Sequence, residues 1–234
     1  MGELQKLSED RAVALLVIDQ QMDFEPGGAL PVAGGTEIVK PIADLMRKFP
    51  FIVVTQDSHP PDHISFASSY QNKKPYDLLT LAEVEAGKVS GIYSRDTLVE
   101  YLRAVPEHRQ VLWPDHCVVG TTGWFMDPQL PLERSTLILR KGVRKNCDSY
   151  SAFFENDGTS TGLSAFLKAR GIRCVVTVGL AGDYCVFYSA EDARKEGFDV
   201  YFDPEFTRFV DFPKGSREKA LEILKQRGAR IVSL

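Results

Sequence analysis

The sequence predicts an α/β protein: a single domain over residues 1–234, built on an open, six-stranded, mainly parallel sheet with helices on both faces. Three observations carry this. Strand-length runs rich in apolar and β-branched residues recur along the chain. Apolar-periodic, capped runs separate them. Chemistry-bearing polar residues follow directly on the strand ends. Such an alternation gives parallel strands joined by crossover helices. With 234 residues, 44% hydrophobic and 26% charged, the chain buries roughly 70–75% of its unfolded surface, enough to fold without disulfides.

The first strand, 12–18, is a continuous apolar run, as expected of a strand covered on both faces. A helical stretch begins near Thr36 and carries Ile38, Ile42, Leu45 and Met46; Pro41 inside it predicts a late start or a bend. Strands follow at 51–55 and 136–140. A helix after Ser160 carries Leu163, Phe166 and Leu167 and stops at Gly171. The strand 173–178 leads to a helix that closes at Gly197, then to the strand 199–202. A last helix starts at Ser216, carries Leu221, Ile223 and Leu224, and stops at Gly228 before a strand at 230–233. Residues 70–110 break the alternation. They hold Asn72-Lys73-Lys74-Pro75, the acidic Glu83 and Glu85, and a helix capped by Ser94 with Leu98, Tyr101 and Leu102. They are expected to form an insertion on the one domain, serving as a lid or as the contact of a homo-oligomer.

A net charge of −4 without a basic stripe argues against nucleic acid as partner. No apolar run is long enough to span a membrane, and Met1-Gly2-Glu3-Leu4-Gln5-Lys6 lacks an apolar signal core. Cys117, Cys147, Cys174 and Cys185 show no C-x-x-C pair, so neither a four-cysteine zinc site nor a disulfide framework is expected. Reduced thiols in a cytoplasmic protein are the expectation.

In open parallel sheets, ligands sit beyond the carboxyl ends of the strands. There the first strand presents Asp19, the second Gln56 and Asp57-Ser58-His59, the third Arg140-Lys141-Gly142, and the fourth leads to Cys185. Cys185 falls where a helix begins, so unpaired N–H groups and the helix dipole favour a thiolate. Taken singly, each residue has a plain reading: a buried apolar cysteine, a turn-capping aspartate, a solvated lysine. Taken together they form a working set, with Lys141 favouring the thiolate and Asp19 carrying its proton to a leaving amine. No histidine is near Cys185 by chain position, so a papain-like cysteine–histidine pair is not supported.

Asp57 and His59 are two residues apart, which places them on one side of an extended segment, the spacing of two metal ligands. A third ligand would come from His63, His108 or His116. A set of this type with open positions suits Zn²⁺, Mn²⁺ or Fe²⁺.

The chain resembles the nicotinamidase/pyrazinamidase branch of the isochorismatase-like cysteine hydrolases. The matching segments are Val17-Ile18-Asp19-Gln20-Gln21-Met22-Asp23-Phe24, Thr55-Gln56-Asp57-Ser58-His59-Pro60, Asp62-His63-Ile64-Ser65-Phe66-Ala67, Trp113-Pro114-Asp115-His116-Cys117-Val118, Lys141-Gly142 with Asp148-Ser149-Tyr150-Ser151-Ala152-Phe153, and residues 179–186. They keep the family order and span nearly the whole chain.

The resemblance implies a catalytic triad of Asp19, Lys141 and Cys185. It implies one divalent metal, zinc before manganese or iron, on Asp57, His59 and His116, with His63 nearby as a further candidate. It implies a cis Leu180–Ala181 bond that turns the Ala181 N–H, with that of Cys185, to the substrate oxygen as an oxyanion hole. Phe24, Trp113 and Tyr150 become the walls of a pyridine pocket. The implied activity is hydrolysis of the small molecule nicotinamide, and of pyrazinamide, to the acid and ammonia, a step of NAD salvage. Two departures bear on pocket shape: Gly182 stands where the family often carries a side chain, and Ser58 where an aromatic is common. Residues 70–110 are longer than in compact members. The competing readings are a metal-free amidohydrolase of carbamoyl or ureido compounds, against which the Asp57/His59/His116 set speaks, and a non-catalytic metal-binding scaffold, against which the complete triad speaks. An isochorismate hydrolase would not need the cysteine.

Overall fold

The computed structural model describes residues 3–232. Its centre is a six-stranded parallel sheet in the order β5-β2-β1-β6-β7-β8. The strands are β1 (Val13–Ile18), β2 (Ile52–Asp57), β5 (Leu137–Lys141), β6 (Cys174–Gly179), β7 (Asp199–Thr207) and β8 (Arg230–Ile231). Two short strands, β3 (Leu78–Thr80) and β4 (Arg109–Val111), pair antiparallel apart from it. The helices are α1 (Glu3–Glu9), α2 (Val39–Met46), α3 (Leu81–Glu85), α4 (Arg95–Ala104), α5 (Leu163–Ala169), α6 (Cys185–Lys195) and α7 (Ser216–Gln226). None of them is long and apolar enough to cross a membrane.

The period of two along β1 builds both cores at once. Val13, Leu15 and Val17 pack with α2 residues Val39, Ile42, Leu45 and Met46 on one face. Ala14, Leu16 and Ile18 pack on the other with Leu163 and Leu167 of α5, Val186 and Ala190 of α6, and Leu224 of α7. All six residues of β1 are buried. Helix α2 starts late, as Pro41 requires: a 3-10 turn at Gly35–Ile38 precedes it.

Two strand ends depart from the sequence reading. The predicted 199–202 runs on as β7 to Thr207. Pro204 has no N–H to donate, but β8 pairs only with Tyr201 and Phe202, so no partner asks for one on that side. The β6–β7 register shifts between Thr177 and Gly179, with the extra residues on β7, and Gly179 pairs with Thr207. The predicted last strand shrinks to Arg230–Ile231, and Ser233 lies outside the described residues.

Within residues 70–110, β3 pairs with β4, and α3 and α4 cover them around Leu79, Leu98 and Leu102. Ser94 caps α4 as expected. Thr80 and Glu83 form a reciprocal capping box on α3.

The chain leaves β1 toward β2 and β5 on one side and returns through β6, β7 and β8 on the other. The carboxyl ends of β5, β2, β1 and β6 are therefore neighbours. Asp57 pairs with Lys141, and Ile18 with Gly179.

Candidate active site

Lys141, the last residue of β5, is fully buried. Its Nζ lies 2.9 Å from Asp19 Oδ2 and donates to Asp57 Oδ1 at 2.9 Å, to the Ser149 carbonyl at 2.8 Å and to Cys185 Sγ at 3.4 Å. Asp19 directly follows β1 with φ 45°. Thr55 of β2 fixes it twice: the Thr55 hydroxyl donates to Asp19 Oδ1 at 2.6 Å and accepts the Asp19 N–H at 3.1 Å. Asp19 Oδ2 faces Lys141 without the alignment of a hydrogen bond, which leaves it open to a second donor. One oxygen each of Asp19 and Asp57 and the Cys185 sulfur lie within 4.8 Å of one another.

Cys185 opens α6 after the cis Leu180–Ala181 bond. Among the described residues, the backbone N–H groups of Ala181 and Cys185 have no hydrogen-bond acceptor, whereas Val186 N–H bonds back to the Ala181 carbonyl. The expected thiolate is not what this setting favours. Burial pushes the Cys185 thiol well up; Lys141 pulls it down, but Asp19 and Asp57 push it up again. Burial likewise raises the Asp19 carboxyl against the pull of Lys141. Burial works against charge on Lys141, yet Asp19 and Asp57 hold it well above its ordinary value. Burial opposes charge on Asp57 too, but His59 and Lys141 hold it well below the usual carboxylate range. Within the cluster, Lys141 is held as a cation and Asp57 as an anion, while burial pushes Cys185 and Asp19 toward their neutral forms. Helix dipole and chain order point to a thiolate; burial and the two carboxylates push the other way.

Asp57, His59 and His116 converge, with one ligand atom from each within 4.8 Å of the others. His59 Nε2 is 3.2 Å and His116 Nε2 3.7 Å from Asp57 Oδ2. Each ring is oriented from behind: His59 Nδ1 bonds the Gly142 carbonyl at 3.0 Å and His116 Nδ1 the Pro114 carbonyl at 2.7 Å. With Nδ1–H held by a carbonyl, Nε2 is the ligand nitrogen, and on His59 a metal would replace the proton that Asp57 otherwise favours there. The three residues fit a divalent metal with open positions. Gly142 (φ 64°) is needed here, because a Cβ would stand 2.5 Å from His59 Cε1.

His63 lies beside this set, its ring 4.2 Å from that of His59. Both of its nitrogens are engaged, Nδ1 with the Ser65 hydroxyl at 2.8 Å and Nε2 with the Arg144 and Cys147 carbonyls at 3.0 and 3.1 Å. Burial holds it neutral, its pKa lowered to about 4. His108 belongs to the 70–110 segment and bonds the Leu102 carbonyl.

An apolar pocket meets both clusters. Phe24, Trp113 and Tyr150 line it together with Asp57, His116, Ala181 and Cys185. Tyr150 accepts hydrogen bonds from the Trp113 indole at 3.1 Å and from Gln110 at 2.9 Å. Sequence reasoning missed other walls, Leu30, Val32, Asp148, Tyr184 and Val210. It also missed Gln21, whose amide brackets Asp57, donating to its carbonyl at 2.9 Å and accepting its N–H at 2.7 Å. Tyr184 was within reach, since it adjoins Cys185; the others arrive through tertiary packing. The two departures have local causes. A Cβ on Gly182 would stand 2.5 Å from the Phe209 ring, and Ser58 Oγ accepts the Trp124 indole N–H at 2.9 Å.

The isochorismatase domain model matches residues 13–234. A nicotinamidase of Acinetobacter baylyi is 40% identical over 229 residues, covering 97% of this chain and 95% of that protein. The chain belongs to the nicotinamidase branch of the isochorismatase family. A solved nicotinamidase/pyrazinamidase of Acinetobacter baumanii superposes with a TM-score of 0.83 at 37% identity, covering 96% of this chain and 97% of that one. A pyrazinamidase of Pyrococcus horikoshii, solved in complex with zinc, superposes at 0.69 with 33% identity, covering 95% and 99%. Membership in this family accounts for the order in which the hydrolase segments occur along the chain.

Proposed function

We propose that this chain hydrolyses nicotinamide to nicotinate and ammonia, and pyrazinamide likewise, by a thioester route. The single observation that carries the reading is the Lys141 ammonium held between Asp19, Asp57 and the Cys185 sulfur at the wall of an aromatic pocket. The 40% identical nicotinamidase supports the same substrate.

Cys185 Sγ attacks the carboxamide carbon, and the thiol proton passes to Asp19 Oδ2. The raised Asp19 pKa suits a group that must take and return a proton. The N–H groups of Ala181 and Cys185 receive the developing oxyanion. Asp19 returns the proton to the amide nitrogen as the C–N bond breaks, and ammonia leaves. A water then attacks the thioester carbon and gives its proton to Asp19. The C–S bond breaks, the thiol regains the proton, and the carboxylic acid is released. Lys141 stabilises the negative charge that moves between these groups. Asp57, His59 and His116 would hold a divalent metal, zinc by preference, which supplies a Lewis-acid anchor for the ring nitrogen. Phe24, Trp113 and Tyr150 pack the ring.

The reading places the enzyme in pyridine nucleotide salvage in the cytoplasm, a compartment that suits its four free cysteines. Ammonia release from nicotinamide by the purified protein, with and without chelator, tests it; no release from metal-replete protein would refute it.

A further inference from the structure

The pocket is walled by rings from separate stretches of chain, and Tyr76 and Phe212 stand behind two of them. Trp113 and Tyr184 both line the pocket and meet edge to face, centroids 4.9 Å apart. Tyr76 and Phe212 do not line it. Tyr76, just ahead of β3, packs edge-on against Trp113 at 5.8 Å and against Phe212 at 4.9 Å. The Phe212 carbonyl in turn accepts the Tyr184 hydroxyl at 2.6 Å. The circuit therefore closes: Trp113, Tyr184, Phe212, Tyr76 and back to Trp113.

The two outer residues are held differently. Asp183, two residues before the nucleophile, fastens the Phe212 side. Its buried carboxylate accepts the Val210 N–H at 3.0 Å, the Asp211 N–H at 2.8 Å and the Ser216 hydroxyl at 2.5 Å. Gly182 N–H adds a bond to the Arg208 carbonyl at 2.7 Å. Residues 208–216 are thus tied to the turn that carries Cys185. Tyr76 is 39% exposed, takes a positive φ of 73°, and among the described residues its hydroxyl has no partner. Its ring acts by contact alone. Behind this wall Cys185 is 7% exposed, and Asp19 and Lys141 are wholly buried.

We infer that Tyr76 is a positioning residue for substrate selection: its ring clasps Trp113 and Phe212 from outside, and the clasp sets how large a ring substituent the pocket admits. The substrates it excludes are nicotinamides carrying an added alkyl group on the pyridine ring. The inference deepens the amidase reading and rests on it.

The test compares kcat/KM for nicotinamide and for a panel of ring-methylated and ring-ethylated nicotinamides in wild type, Tyr76→Ala, Phe212→Leu and Tyr76→Phe. Opening a wall by a few carbon atoms is expected to shift selectivity about tenfold or more toward at least one alkylated amide in Tyr76→Ala and in Phe212→Leu. Tyr76→Phe keeps the ring and keeps the wild-type ratio. An unchanged ratio in both Tyr76→Ala and Phe212→Leu overturns the inference, as does a shift in Tyr76→Phe equal to that in Tyr76→Ala. A merely structural role would lower all rates together and leave the ratios in place. A second readout needs no amidase activity: mass-mapped labelling of Cys185 by N-ethylmaleimide. It is expected to quicken about tenfold in Tyr76→Ala and Phe212→Leu and not in Tyr76→Phe. Equal labelling in all four proteins rejects the clasp, whereas inactivity of wild type toward every amide rejects only the amidase reading.

Discussion

The Lys141 ammonium lies 3.4 Å from the Cys185 sulfur, the lysine wholly buried and the cysteine 7% exposed at the pocket. One buried cation serves both carboxylates and the thiol, so its removal strands negative charge as well as weakening catalysis. Lys141→Met is expected to lower kcat/KM by about a thousandfold, the scale of losing a preorganised charge partner. It should also cost about 3–5 kcal/mol in urea unfolding, because Asp19 and Asp57 lose their counter-charge. Adding Asp19→Asn should recover part of the stability and none of the activity. A stable, active Lys141→Met protein would remove the lysine from the mechanism.

About one divalent metal per chain is expected, since one set of three residues presents free nitrogens and a carboxylate oxygen to a common point. Elemental analysis of the metal-reconstituted protein checks it. His59→Ala and His116→Ala should retain little metal, and Cys185→Ala the wild-type amount. Equal retention in all three variants would reject the ligand assignment.

Substrate choice follows from the ring anchor. Nicotinamide and pyrazinamide carry a ring nitrogen meta to the carboxamide, and benzamide carries none. A site built around a polar partner rejects the analogue that lacks it, so benzamide should be at least about a hundredfold poorer in kcat/KM. Steady-state ammonia release from the three amides decides this. Benzamide turned over as fast as nicotinamide would favour the metal-free amidohydrolase reading.

Glu155 gives a stability signature. Burial raises its carboxyl to about 6 from the ordinary 4.5, against the pull of Arg144, and its Oε2 has no hydrogen-bond partner. The folded state holds this proton more tightly than the unfolded chain. Its contribution is therefore full below pH 4.5 and is lost as pH rises toward 6. Solvent screening reduces the effect to about 1 kcal/mol. Relative to Glu155→Gln, the wild type should lose that much between acid and neutral pH in denaturant titrations. A constant difference across the range would show that the carboxyl titrates normally.

The sheet was legible because strands buried on both faces read as unbroken apolar runs, as in β1 and β6. The far half of β7 was not, since Pro204 reads as a breaker and only the shortness of β8 makes it harmless. Strands β3 and β4 pair through three residues each, too short for a period to register. The capping box at Thr80 and Glu83 was a readable sign of α3 that went unread. Asp19, Asp57 and Lys141 were legible as polar residues at neighbouring strand ends, and Cys185 as the start of the helix after β6. Asp148 and Val210 reach the pocket from loops whose placement depends on long-range packing. The upward push on the Cys185 thiol was hidden for a different reason: chain order shows the helix start and the lysine, but not the burial that opposes them.

The central claim is that Cys185 forms a thioester with the substrate acyl group. Acid-quenching the protein during turnover of nicotinamide, followed by peptide mass mapping, tests it most directly. The account predicts a nicotinoyl group on the peptide bearing Cys185, lost on dilution into buffer and absent from Cys185→Ala, which should also release no ammonia. Ammonia release by Cys185→Ala at the wild-type rate, with no acyl group on any cysteine, would contradict it.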